Sequence, residues 1–84
     1  MIVRVIEVFS TLNDELICEL ELSQFWSIEK LKEIVVIDYD DSNIHLIYRL
    51  SKAQVIVLGG SELLELNNGN IECFLSYNQI KGSE

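Results

Sequence analysis

The sequence has no proline, one histidine and two cysteines in 84 residues. Without proline, its turns must be built from Gly, Asn, Asp and Ser. The one histidine, His45, leaves little for a histidine metal cluster or a base-activated nucleophile. It stands in an apolar stretch and reads as structural. Two cysteines make no disulfide framework. Cys18 and Cys73 lie in separate apolar runs and read as two buried thiols in a reducing compartment. Long apolar runs are missing too. "VIVL" (55–58) has four residues, where a membrane-spanning helix takes roughly 20. The opening "MIVRVIEVFS" reads as no signal peptide, because Arg4 and Glu7 interrupt its apolar residues. The expectation is a soluble, cytoplasmic protein.

Positive charge is scarce. Fourteen Asp and Glu face six Lys and Arg, a net charge of -8. That balance opposes nucleic-acid binding, which needs a basic footprint. It equally opposes docking on anionic lipid. It favours a basic partner through steering and surface complementarity.

Apolar residues are plentiful, at 49%. They suffice for one small domain over residues 1–84, with 81–84 as a frayed tail. "IVRVIEVF" (2–9) is rich in β-branched residues and predicts a strand. "STLNDE" is a polar connector. In 16–22, Leu16, Cys18, Leu20 and Leu22 alternate with Ile17, Glu19 and Glu21, the period of a strand with one wet face. Ser27 is a helix N-cap, Glu29 sits in the first turn, and Trp26 and Leu31 are spaced as a hydrophobic staple. Ile28, Leu31, Ile34 and Val35 form the apolar stripe of that helix. "IHLIYRL" (44–50) predicts a third strand. In 51–58 the signals conflict. Ser51 with Gln54 spells a capping box, Leu50 with Val55 a hydrophobic staple, and Gly59 fits a helix C-terminus, yet Val55, Ile56 and Val57 favour a strand. The three terminal signals decide for a short helix. "NNGN" (67–70) is a turn, and "IECFLSY" (71–77) is a last strand covered on both faces. The fold class is α+β, a mainly antiparallel sheet of four strands with one or two helices on one face, in the order β-β-α-β-(α)-β.

"DYDDSN" (38–43) is the densest polar stretch. Asp38, Asp40 and Ser42 match the first three odd positions of an EF-hand loop. The sixth position then holds Asn43 instead of glycine. The twelfth holds Arg49 instead of a bidentate glutamate, and its charge repels a cation. Neither cysteine has zinc-ligand spacing, and the double glycine of "VLGGSE" lacks the lysine of a phosphate loop. No cofactor, metal or catalytic residue is therefore assigned, and no enzyme is expected. What remains is acidic surface: Asp14 and Glu15 in the first connector, Asp38, Tyr39, Asp40 and Asp41 in the second, Glu62 and Glu65 after the glycines. A tyrosine among carboxylates suits a protein interface.

"IVRVIEVFS", "LNDELICELELSQF", "SIEKLKEIV", the Asp-rich turn, "YRLSKAQVIVL" and "CFLSY" together resemble the small bacterial immunity proteins of contact-dependent growth inhibition and related polymorphic toxin systems. The similarity spans residues 2–77. It implies an inhibitor that binds a cognate toxin domain, a nuclease with a basic groove, and occludes it. Two other readings share the acidity or the apolar edges: a nucleic-acid mimic of the anti-restriction or anti-CRISPR type, and an oligomerising domain without inhibitory role.

Overall fold

The computed structural model describes residues 2–41, 44 and 46–79. Ser42, Asn43, His45 and the 81–84 tail read above lie outside them. Strands β1 (Ile2–Ser10), β2 (Leu16–Glu21), β3 (Tyr48–Leu50) and β4 (Ile71–Gln79) form one antiparallel sheet in the order β2-β1-β4-β3. Helix α1 (Ile28–Ile34) follows β2, and α2 (Lys52–Val57) follows β3. A 3-10 segment, Ser61–Gly69, leads into β4.

One face of the sheet is covered. Ile6 lies opposite Leu20 on β2 and Leu75 on β4, and Val8 lies opposite Cys18 and Cys73. These side chains join Leu31 of α1, Val55 of α2 and the residues that cap the two helices, Val35 and Leu58, in one core. Leu63, Leu64 and Leu66 of the 3-10 segment pack against it. Burial of this apolar surface is the main favourable term of the fold. The other face carries Val3, Val5, Glu7 and Phe9 from β1, with Phe74 and Ser76 opposite them on β4; Val5 and Ser76 are buried there, and Val3, Glu7, Phe9 and Phe74 half-buried.

The helix ends form as their sequence signals require. The Ser27 Oγ accepts the Lys30 amide, and α1 begins there. Ser51 and Gln54 close a full capping box on α2. The 51–58 conflict resolves to helix because Val55 is buried while Ile56 and Val57 are exposed. Their β-branches weaken the helix without entering the core. Gly59, at φ +91, ends the helix in the left-handed region.

Two expectations are corrected. The strand predicted over 44–50 shrinks to Tyr48–Leu50. Ile44 is at φ +53, outside the strand region, and the Leu46 amide bonds a side chain instead of a neighbouring strand. Leu16 does not share a face with Cys18. A bulge shifts the β1–β2 register between Val8 and Phe9, which sets Leu16 opposite Phe9 on the open face. The 3-10 segment was not foreseen, but the turn at its end is present: Asn67 and Asn68 have φ +50 and +56, and the Asn70 amide donates to the Asn67 carbonyl.

Candidate partner-binding surface

Three carboxylates between α1 and β3 have different fates. Asp41 turns inward and is only 8% exposed. Its Oδ2 accepts the Tyr48 hydroxyl at 2.7 Å and the Leu46 amide at 2.9 Å. Its backbone carbonyl accepts the Ile44 amide. Its charge also acts on Arg4, whose guanidinium donates to the Ile44 carbonyl and stands 5.8 Å from the Tyr77 ring centroid. Burial pulls the Arg4 guanidinium below its ordinary range, and Asp41 opposes that shift. Asp41 is therefore an internal staple that fixes the loop from below.

Asp38 and Asp40 point the other way and are exposed. Tyr39 between them is 97% exposed. The Asp38 amide donates to the Tyr48 hydroxyl, so one tyrosine links Asp38 and Asp41. That network raises the Tyr48 pKa, chiefly by desolvation and then by its bond to Asp41. The result is a projecting aromatic ring between two carboxylates on a loop tied by the Asp41 and Tyr48 hydrogen bonds.

The remaining sequence candidates lie elsewhere. Asp14 and Glu15 are exposed in the β1–β2 connector. Asp14 adopts φ +59, which a short polar side chain tolerates. Glu15 receives the Asn13 amide side chain at 3.4 Å. This connector follows the end of β1, while the Asp41 network meets Arg4 near its start. Arg4 and Ser10 are six residues apart, roughly 20 Å along the strand, so the two acidic loops are separate patches. Glu62 and Glu65 are exposed on the 3-10 segment. That segment ends near the connector, where the Asn67 side chain donates to Ser10 Oγ.

Sequence reasoning missed the open sheet face. Glu7 lies in register with Phe74 on one side and Glu19 on the other, and Arg49 lies opposite Phe74. Phe9 packs edge-to-face on Phe74, with centroids 5.7 Å apart. Arg49 bridges Glu72 at 3.3 Å. The alternation of Glu7, Glu19 and Glu21 along two strands was the available signal, once the strands were paired.

Among the described residues, no three His, Cys, Asp or Glu side chains stand together as a metal-holding group. Cys18 and Cys73 are both free thiols on the covered face, half-buried and buried. No helix among the described residues is long and apolar enough to cross a membrane. No curated protein and no solved structure matches the chain. A family model does match, over residues 3–76, so the chain belongs to the family described as Domain of unknown function (DUF7683).

Proposed function

We propose that the protein is a cytoplasmic binding protein of the immunity type, without enzymatic activity. It neutralises a cognate bacterial toxin domain, a nuclease, by filling its basic groove. The observation that carries this reading is the Asp38–Tyr39–Asp40 tip. Both carboxylates and the ring project outward while Asp41 holds the loop from inside. A loop fixed before binding loses less entropy on association. Carboxylates meeting substrate-binding Lys and Arg supply charge-assisted bonds, and the net charge of -8 speeds encounter. Asp14, Glu15, Glu62 and Glu65 add to that field from their separate positions.

The test pairs the purified protein with the product of the gene adjacent to its own. A 1:1 complex that abolishes nuclease activity is expected, with an association rate that falls steeply with salt. Asp38→Lys with Asp40→Lys is expected to slow association about tenfold or more at low salt. An unchanged rate removes the loop from the interface. A complex that leaves nuclease activity intact removes the inhibitory role.

A further inference from the structure

We infer that the sheet face opposite the helices is a second docking surface, built to receive an arginine side chain from a polypeptide partner against the Phe9–Phe74 pair. A shallow depression of about 350 Å³ lies there, lined by Glu7, Phe9, Asp14, Ile47, Glu72 and Phe74. It is distinct from the Asp38–Asp40 tip. Arg4 and Tyr48, which meet that loop's Asp41, occupy the helix-covered side of the same strands. The inference stands apart from the toxin reading and needs no nuclease.

Three features select the occupant. The first is apolar. Phe9 and Phe74 stand at 81° to one another, so each ring keeps at least one π face that the pair does not use. Ile47, 60% exposed, and Leu16, 49% exposed, widen the apolar ground beside them. The second is charge. Among the described residues, Glu7, Glu19, Glu21 and Glu72 stand on this face with Asp14 at the depression's rim, and Arg49 is the cation set among them. Arg49 bridges Glu72. Glu7, in register with Phe74, is placed for a guanidinium that stacks on the ring. The third excludes a self-pair. A second copy docked face to face would bring two sets of Glu7, Glu19 and Glu21 together, with each Arg49 already bridged to Glu72, and that excess of like charge opposes the contact. An arginine flanked by an apolar residue satisfies both the rings and the carboxylates. A planar guanidinium does so better than a compact ammonium.

The test uses two peptides, acetyl-Ala-Arg-Leu-Arg-Ala-amide and the same peptide with citrulline for arginine, titrated into the 15N-labelled full chain. Amide shifts are expected at Glu7, Phe9, Ile47 and Phe74 with the arginine peptide, and none with citrulline, which keeps the shape and loses the charge. Phe9→Leu retains apolar bulk, and Glu7→Gln retains shape. Each is expected to weaken binding about threefold or more, the size of an exposed ring–cation contact, with the wild-type spectrum otherwise preserved. Asp38→Lys with Asp40→Lys is expected to leave these shifts in place. Equal binding of both peptides, shifts centred on 38–40, or wild-type affinity in both face variants overturns the inference. So does concentration-dependent shifting of this face without peptide, which marks self-association.

Discussion

The Tyr48 hydroxyl donates to Asp41 Oδ2 at 2.7 Å and accepts the Asp38 amide at 3.1 Å. One phenol thus joins a buried carboxylate to the backbone of the exposed tip. Tyr48→Phe removes both bonds and leaves the ring packed against the core. Loss of a hydrogen bond to a charged group lowers stability, so Tm is expected to fall. The pKa of Tyr48 is raised in the folded state. Its contribution is therefore complete below the unfolded phenol value, about 10, and fades as pH rises through the higher folded value. The stability gap between wild type and Tyr48→Phe should narrow above about pH 10, as read by urea unfolding across pH 7–11.

Gln54 does two things at once. Its Oε1 accepts the Ser51 amide at 2.7 Å, and its Nε2 donates to the Ile34 carbonyl at 2.9 Å. The first bond closes the α2 capping box. The second ties the end of α1 to the start of α2. Ser51→Ala should cost about 1 kcal/mol, the usual worth of an N-cap. Gln54→Ala should cost about 1 kcal/mol more, since it also orphans a carbonyl at the α1 terminus. Urea unfolding of the two variants side by side measures the difference. Equal losses would mean that the helix–helix tie contributes nothing.

What the sequence could show follows from the range of each signal. The capping residues Ser27, Ser51 and Gln54 act over three positions, so both helices were legible. The β-branched run of β1, the period-two run of β2 and the apolar run of β4 were legible for the same reason. The length of β3 was not. It depends on Asp41 capturing the Leu46 amide and on Arg4 reaching the Ile44 carbonyl, 40 residues away in sequence. The interior place of Asp41 among three aspartates has the same cause. Nothing within 38–43 distinguishes it from Asp38 or Asp40. The open face needed strand pairing before Glu7, Phe74 and Arg49 became neighbours. The bulge that turns Leu16 away is a register event with no local residue to announce it.

Gly59 and Gly60 are adjacent but resist substitution for opposite reasons. Gly59 sits at φ +91 with open space around it. Gly59→Ala should cost about 1–2 kcal/mol of backbone strain alone. At Gly60, a methyl would stand 3.0 Å from Val55 Cγ1 and 3.1 Å from Leu63 Cδ1. Gly60→Ala should cost about 1–3 kcal/mol through overpacking. A double-mutant cycle separates the two. Gly60→Ala combined with Val55→Ala should cost less than the sum of its parts, because the removed methyls make room. Gly59→Ala with Val55→Ala should be additive.

Cys18 and Cys73 lie in one cross-strand row with Val8 between them. Two strand spacings separate their backbones by roughly 10 Å, beyond the reach of a disulfide. Burial, and then the neighbouring Cys18, push the Cys73 thiol up from its ordinary range. Cys18 is only half-buried. With an aromatic disulfide reagent at pH 8, the folded protein should release one equivalent of thiolate quickly, and peptide mapping should place the label on Cys18. The second equivalent should appear at the rate of unfolding, and immediately in denaturant. The raised Cys73 value has a matching effect on stability. It is neutral below the free thiol value of about 8.5 and loses stability as pH rises beyond it. Cys73→Ala should therefore flatten the stability profile between about pH 8 and 10, while lowering it overall through the cavity left opposite Val8.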